Sequence, residues 1–407
     1  MLTKIKITLL ASITILLLTG CGGSIWQTGK KAEVIEARAE IFSAQAEPNN
    51  IVLMLPLKGE LAASSQAIRN GFLAAYHHYR KERPSINIKV IDTTGGDVRA
   101  LYQQAVIDGA EVIVGPLTKK EVEIIASINP LPIPTLALNT LDDYTHSFGP
   151  NLYQFGLLPQ DEAWQVATKM IQEQHDRVAI IAPENAWGDK IVAAFRSKYE
   201  ESGGQVIATL NYRSSGNLAE QICPFLAQDA TKLCTPRKHK DKKQEVSNEP
   251  MRRQDINAIF LVTKDHDHTA RQIMPLLKFY YAGDLPTYSI STVYTGVVSQ
   301  NLDQDLEGVY FCDMPWVLQD PSVFGSDLQA IHKQIMVLWA DSYANLGRLY
   351  ALGVDAYNLA SKLNGFLNSP QYGVEGASGK LYLNEFNHIY RELQWAQMKN
   401  GFPIVLQ

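Results

Sequence analysis

The sequence lacks the features of several protein classes. Among its 407 residues 46% are hydrophobic and 19% charged, which excludes a mainly disordered chain. The 37 Lys and Arg are outnumbered by 42 Asp and Glu, so the net charge of −5 gives no general reason to expect a nucleic acid as partner. No GxSxG or HExxH motif occurs, and no apolar run beyond the N-terminus is long enough to cross a bilayer. We therefore expect a globular protein without the signature of a hydrolase or a metalloprotease.

The N-terminus has the composition of a secretory signal. Lys4 and Lys6 precede an apolar run at 7–18, which is too short to span the ~30 Å hydrocarbon layer as a helix. The run ends in LTGC, which resembles the lipobox of bacterial lipoproteins and implies cleavage before Cys21 and lipidation of its thiol. Gly22 stands where an Asp would favour the inner membrane, so the resemblance points to the outer membrane. The alternative is an ordinary signal peptide that carries a cysteine at this position.

Only three other cysteines occur, and an oxidising compartment changes how they are interpreted. Cys223 and Cys234 are eleven positions apart on either side of a predicted helix end, so we expect a local disulfide. Cys312 lies in an apolar run with no histidine close by, which is typical of a buried free thiol.

The remaining chain alternates strands and helices, which predicts parallel sheets with crossover helices. The alternation begins after a polar tether and restarts near residue 158, so we predict a second sheet of similar size. This plan resembles the α/β fold of type I periplasmic binding proteins, with two doubly wound lobes joined by three crossings. The predicted boundaries are 1–20 for the signal peptide, 21–49 for the lipidated cysteine and tether, 50–157 plus 293–368 for lobe 1, and 158–292 plus 369–407 for lobe 2.

The C-terminal part of the sequence predicts two helices and a hairpin. The helices are expected at about 326–344 and 350–367. The hairpin is expected to pair residues 380–383 with residues 393–398.

Polar residues occur near the carboxyl ends of several predicted strands, where ligands of such sheets bind. They supply hydroxyl, amide and carboxylate groups, and Trp187 adds a stacking face. Strand-end turns and helix caps explain the same positions at least as well. The candidates for binding a small polar molecule in an interlobe cleft are Thr118, Asn139, Thr140, Asn185, Trp187, Ser291 and Asp313.

Three further clusters do not predict a catalytic or metal site. Adjacent side chains in the DHDH run at 265–268 point in different directions and cannot all reach one ion. The acidic pairs at 142–143 and 161–162 are better explained by turn chemistry and helix starts. The glycine-rich run at 373–380 does not have the spacing of a phosphate-binding loop and is better explained as a turn.

A basic insertion at 231–254 interrupts a helix-to-strand connection. It carries eight Lys and Arg against three acidic residues and shows no apolar periodicity, which favours a surface insertion. The alternative is an electrostatic contact with an acidic partner, anionic lipid or the glycan layer. The run contains no aromatic residue, which argues against single-stranded nucleic acid.

Eight short segments in order, together with the lipobox, resemble the LppC/LpoA family of outer-membrane lipoproteins. The similarity covers about residues 50–407, and its most specific parts are 311–316 and 391–403. The segments are AIRNGFLAA (67–75), VGPLTKKEV (114–122), PTLALN (134–139), LPQDEA (158–163), LPTYSIS (285–291), GVYFCDMPW (308–316), LGVDAY (352–357) and RELQWAQMKNGFP (391–403).

The resemblance implies a lipoprotein without catalytic activity or cofactor. Members of the family activate a bifunctional class A penicillin-binding protein, a peptidoglycan synthase, by direct binding from the outer membrane. Better known members carry a large helical-repeat domain between the lipid and the binding-protein-like module, whereas this sequence has only the short tether. The competing hypothesis is a periplasmic solute-binding protein that captures an amino acid or a cell-wall peptide.

Overall fold

The computed structural model describes five stretches of the chain, and several sequence predictions lie outside them. The described residues are 48–141, 147–234, 252–264, 268–318 and 324–406. Outside them lie the signal peptide, Cys21, nearly all of the tether, the acidic pair at 142–143, most of the basic insertion (235–251) and residues 265–267 of the DHDH run. None of the described helices is long and apolar enough to span a bilayer.

The described residues form two sheets with helices between the strands. The strands are β1 (Asn50–Leu55), β2 (Asn87–Asp92), β3 (Val112–Val114), β4 (Thr135–Ala137), β5 (Leu152–Phe155), β6 (Arg177–Pro183), β7 (Gln205–Tyr212), β8 (Ala258–Leu261), β9 (Thr287–Ser289), β10 (Tyr310–Asp313), β11 (Val374–Gly376), β12 (Gly379–Leu383), β13 (His388–Glu392), β14 (Gln394–Lys399) and β15 (Phe402–Val405). The helices are α1 (Ala62–Tyr79), α2 (Val98–Ile107), α3 (Lys119–Ala126), α4 (Pro159–Gln172), α5 (Ala186–Glu201), α6 (Leu218–Leu226), α7 (Ala230–Leu233), α8 (Thr269–Phe279), α9 (Gln300–Asp303), α10 (Pro315–Leu318), α11 (Ser326–Leu338), α12 (Ala340–Ala360) and α13 (Leu363–Asn368).

The order of the strands defines two lobes. The first sheet runs β11-β12-β13-β5-β4-β3-β1-β2 and the second runs β15-β14-β10-β9-β8-β6-β7. The strands are parallel except for the hairpin partners at one end of each sheet. In the central strands β1 and β6 all residues but the first are buried, as expected for parallel strands covered on both faces.

The chain passes from one sheet to the other three times. These crossings lie between β5 and β6, between β10 and β11, and between β13 and β14. The prediction of an α/β fold of the periplasmic-binding-protein kind, with two lobes and three crossings, is confirmed.

Two of the predicted lobe boundaries are wrong, because strands β10 to β13 do not join the sheets in which they were expected. Strand β10, expected in lobe 1 with residues 293–368, pairs in parallel with β9 in the second sheet. Strands β11, β12 and β13, expected in lobe 2, extend the first sheet, where β13 pairs in parallel with β5. Local hydrophobic alternation identifies a strand but does not determine which sheet it joins.

The predicted hairpin is also wrong. Strand β12 pairs with β13, which brings Tyr382 opposite Tyr390, and β14 pairs with β10 and β15. The reason is a tight turn at Asn384, whose Oδ1 accepts hydrogen bonds from the backbone N–H groups of Phe386 and His388 at 3.0 and 2.9 Å. The two predicted helices likewise divide at Trp339 and not near residue 347.

Helices α1 and α12 pack directly against each other through two glycines. A Cβ atom at Gly71 would overlap the carbonyl oxygen of Tyr350, and one at Gly353 would overlap that of Ile68. Only glycine therefore allows the two backbones to approach this closely. Helix α12 is thereby held on the first lobe, and its Arg348 side chain reaches the second.

Candidate functional site

A buried ion pair joins the first and third crossings between the lobes. Glu162 lies in the first turn of α4, and its Oε1 accepts a hydrogen bond from Nη2 of Arg391, on β13, at 3.2 Å. Its Oε2 accepts the backbone N–H of Ser291 at 3.0 Å. Gln165 completes the link, because its side chain donates to the Arg391 carbonyl and accepts from the Leu393 N–H, both at 2.9 Å. The start of α4 is thus bound to the end of β13.

A second ion pair, whose carboxylate is buried, lies at the middle crossing. Arg348 of α12 donates from Nε to Oδ1 of Asp313 at 3.1 Å and from Nη2 to Oδ2 at 2.6 Å. Nη2 also donates to the carbonyl oxygens of Ser291 and Tyr294. Burial raises the pKa of Asp313, and the guanidinium of Arg348 opposes that shift. Since Asp313 ends β10 of the second sheet, this pair connects the two lobes.

Three predicted cleft residues in the first lobe take part in local structure. Thr118 caps α3, where its Oγ1 accepts the Glu121 N–H at 3.2 Å and the Glu121 side chain accepts the Thr118 N–H. Asn139 donates to the Leu117 carbonyl at 2.9 Å and accepts the N–H of the buried Thr140 at 2.8 Å. These are the contacts of a helix cap and a strand-end turn.

The other four predicted residues lie in the second lobe and are divided between two places. Asn185 caps α5 by accepting the Gly188 N–H at 2.9 Å, and the ammonium of Lys264 lies 5.7 Å from the centre of the Trp187 ring. Ser291 and Asp313 are buried and meet at Arg348. The contacts of the seven side chains therefore do not bring them together in one cleft, and their role in ligand binding stays a prediction.

A groove of about 580 Å³ lies elsewhere, between α4 and the strands β12, β13 and β14. Four aromatic residues line it: Trp164, Tyr382, Tyr390 and Trp395. The rings of Tyr382 and Tyr390 stack with their centres 5.3 Å apart and their planes at 15°, and the Lys169 ammonium lies 5.7 Å from the Trp395 ring. None of the seven predicted cleft residues is among the residues that line this groove. We call it the aromatic groove.

Two buried charged side chains also line the aromatic groove with unused hydrogen-bonding atoms. Asp161 is 4% exposed, and neither of its carboxylate oxygens accepts a hydrogen bond from a described residue. Arg391 is 2% exposed; it uses Nη2 for Glu162, whereas its Nε and Nη1 have no acceptor among the described residues. Burial raises the pKa of Asp161 to about 7, although the charge of Arg391 opposes the shift.

The cysteines of the described residues have structural roles. Cys223 and Cys234, the pair expected from their spacing, are joined in a disulfide. Cys312 is fully buried, and burial raises its pKa well above the ordinary value, so it remains a thiol. Among the described residues no three His, Cys, Asp or Glu side chains are grouped so that they could hold a metal ion.

Sequence reasoning missed the aromatic groove because its residues come from two distant stretches of the chain. Two local signals were present. Trp164, Thr168 and Gln172 recur at helical spacing on one face of α4, and Tyr382 and Tyr390 alternate with buried residues in their strands. Neither signal indicates that the helix and the strands face each other.

Comparison with known proteins gives matches over most of the chain. The family model for LppC lipoproteins matches residues 37–401. A relative from Vibrio antiquarius (strain Ex25), named penicillin-binding protein activator LpoA, is 28% identical over 357 residues, which are 86% of this chain and 57% of the relative. The protein of the same name from Vibrio vulnificus (strain YJ016) is 25% identical with the same coverage. This chain thus spans 57% of the length of these curated relatives.

Solved structures share the fold. The C-domain of LpoA from Haemophilus influenzae, described as a regulator of PBP1A, superposes with a TM-score of 0.68 at 23% identity, covering 88% of this chain and all of that domain. Full-length LpoA from the same organism gives 0.69, covering 93% of this chain and 64% of that one. A solute-binding protein from R. palustris in complex with 4-hydroxybenzoate gives 0.56 at 12% identity, covering 88% of this chain and 95% of that one. At these identities the likeness concerns the fold alone.

Proposed function

The chain belongs to the LppC lipoprotein family, and from this membership we propose that it activates a class A penicillin-binding protein in peptidoglycan synthesis. The observation that carries the proposal is the family match over residues 37–401, together with relatives named as activators that cover 86% of the chain. Those names are the names of an activator and not of an enzyme. The chain acts, in this proposal, by binding and not by bond-making chemistry.

The fold supports a mechanism based on docking. Buried ion pairs at the crossings, Glu162 with Arg391 and Asp313 with Arg348, hold the two lobes in one orientation. A module held in this way presents a constant surface to a partner. Activation then follows from a higher affinity for the active state of the synthase, and a tenfold shift between two states needs about 1.4 kcal/mol of differential affinity.

We propose that the protein is anchored in the outer membrane through Cys21 and faces the periplasm. The LTGC sequence and membership of a lipoprotein family support this location. The test is fractionation of envelopes from cells that carry wild-type protein or Cys21→Ser. The wild type is expected with the outer membrane and the variant in the soluble periplasm; equal distribution of both proteins would contradict the anchor.

The test of activation measures glycan polymerisation and crosslinking by a purified class A penicillin-binding protein. The full chain, kept in detergent, is added in increasing amounts, and binding is followed in parallel by pull-down of the synthase. We expect a saturable increase in at least one of the two rates, with half-saturation near the concentration that gives half-maximal binding. The heat-denatured chain is the control. An unchanged rate together with no detectable binding would remove the proposal.

The solute-binding hypothesis receives less support from the structure. The polar groups expected to hold a solute serve as caps in the cases of Thr118 and Asn185 and as a lobe contact in the case of Asp313. A thermal-shift screen with amino acids and cell-wall peptides separates the two hypotheses, because a receptor at saturating ligand is stabilised substantially.

A further inference from the structure

We propose that the aromatic groove is a binding site for a carbohydrate chain, whose ring faces lie on Trp164, Tyr382, Tyr390 and Trp395 and whose polar groups bond to Asp161 and Arg391. That the natural ligand is the glycan made by the synthase rests on the proposed function. The existence of the site rests on the groove alone. Its volume of about 580 Å³ is in the range of sites for small molecules and short chain segments.

The walls of the groove are suited to the apolar faces of sugar rings. Trp164 is on α4, Trp395 is on β14, and the stacked pair of Tyr382 and Tyr390 is on the hairpin of the first sheet. Tyr390 is 41% exposed, so its ring is accessible to a ligand in the groove. Aromatic side chains offer a flat apolar face together with a polar edge, the combination that a ring of carbons bearing hydroxyls requires.

The two buried charged residues that line the groove have both donors and acceptors to offer a ligand. Both oxygens of Asp161 lack a donor, and Nε and Nη1 of Arg391 lack an acceptor, among the described residues. Buried polar atoms are nearly always hydrogen-bonded in native proteins, so four unused atoms on two residues that line one groove call for partners. Hydroxyl and acetamido groups supply both kinds of atom within a few ångströms of each other.

The charges of the groove favour a ligand without net charge. Its ionisable lining includes two acids, Asp161 and Glu392, and two bases, Lys169 and Arg391. Lys169 is paired with Glu173 at 2.9 Å, and Glu392 accepts a hydrogen bond from Tyr382 at 2.9 Å. A groove whose lining carries both signs offers little attraction to an anionic lipid or a highly charged peptide.

The strands beneath the groove leave no edge for a peptide. Strand β13 is paired with β5 on one side and β12 on the other, and β14 is paired with β10 and β15. Addition of a peptide strand to these backbones is therefore blocked, and recognition must use side chains. Side-chain recognition by rings and isolated polar groups fits a sugar chain better than an extended peptide.

The experiment is isothermal titration of the full chain in detergent with the tetramer of β-1,4-linked N-acetylglucosamine, in the absence of any synthase. Matched pairs of variants separate the groove from the rest of the surface. Trp164→Ala and Tyr390→Ala change the groove, whereas Phe279→Ala and Tyr281→Ala remove exposed rings elsewhere, 73% and 55% exposed. We expect saturable binding that each groove variant weakens at least about fivefold and each control leaves within about twofold of wild type.

Asp161→Ala provides a second readout that a structural role would not produce. Removing a buried acid that accepts no hydrogen bond from the described residues is expected to raise the midpoint of thermal unfolding, while removal of a ligand contact weakens binding of the tetramer at least about fivefold. A variant that is more stable and yet binds less well supports a ligand site. Loss of both stability and binding would assign Asp161 to the structure.

Three results would overturn the inference. These are absence of saturable binding of the tetramer by the folded wild type, equal binding by wild type and both groove variants, and tighter binding of an uncharged tetrapeptide of similar size. Because no synthase is present, these results do not depend on activation. If the chain activates the synthase but binds no sugar, only the carbohydrate site is contradicted. If it binds sugar but does not activate the synthase, only the proposed function is contradicted.

Discussion

Arg348 lies in the first lobe and holds both carboxylate oxygens of Asp313 in the second, at 3.1 and 2.6 Å. The Asp313 side chain is 1% exposed and that of Arg348 is 19% exposed, so the carboxylate is separated from water and the guanidinium is half-buried. Arg391 and Glu162 form a second ion pair between the lobes, at the first and third crossings. A two-lobed fold of this kind can open at its crossings, and here buried charges oppose opening at each of them.

Arg348→Leu is expected to lower the free energy of unfolding by about 3 to 5 kcal/mol, because it leaves the Asp313 carboxylate buried without its partner. Unfolding in urea measures the loss. Arg213→Ala is the matched control, since its pair with Glu184 is exposed on both sides and should change stability by no more than about 1 kcal/mol. A loss below about 1 kcal/mol in Arg348→Leu would show that the pair does not hold the lobes.

Gly353→Ala is expected to destabilise the protein by about 3 kcal/mol or more, because the new methyl group would overlap the Ile68 carbonyl and force α1 away from α12. Gly347→Ala on the same helix is the control. Its Cβ would lie 3.4 Å from the Tyr343 ring, an ordinary contact, and the helix should gain up to about 1 kcal/mol. Thermal unfolding of both variants compares them directly. Equal effects would contradict the close contact between α1 and α12.

His388 is expected to make the protein less stable in acid. Burial lowers its pKa from 6.5 to about 4, so between these pH values the unfolded chain takes up a proton that the folded chain does not. The contribution of His388 to the free energy of unfolding is fully present above pH 6.5. It is lost as the pH falls towards 4, and the loss is on the order of 3 kcal/mol. In His388→Gln this part of the acid sensitivity should disappear. Urea unfolding at pH 7 and pH 4 measures the difference, and equal losses in both proteins would contradict it.

Removal of the disulfide is expected to cost about 2 to 3 kcal/mol, because the bond closes a short loop between Cys223 and Cys234. The double variant Cys223→Ser, Cys234→Ser tests this by urea unfolding under oxidising conditions. Reduced wild type should unfold at the same urea concentration as the variant, and addition of reductant should not change the unfolding of the variant. If oxidised and reduced wild type are equally stable, the bond does not contribute.

The segments that carry the family resemblance meet one another in the folded chain. The motifs at 67–75 and 352–357 supply the two glycines where α1 contacts α12. The motifs at 158–163 and 391–403 supply Glu162 and Arg391, and that at 308–316 supplies Asp313. The sequence motifs thus correspond to close contacts between elements, and their pairing was not visible in the sequence.

Several features follow from the sequence alone because their physical signal is local. Alternation of apolar runs with amphipathic segments predicts two α/β lobes, and an eleven-residue spacing predicts the disulfide. The cap roles of Thr118 and Asn185 come from residue type and position, which act within three or four residues.

Tertiary structure alone decided which sheet β10 and β13 join and what the aromatic groove contains. Glu162 and Arg391 are 229 positions apart, and Trp164 and Tyr390, which line the same groove, are separated by a similar distance in sequence. Such contacts depend on how all strands and helices pack together, and neither the period nor the propensity of any one segment carries that information. The sequence determined the elements, and packing between distant elements determined the site.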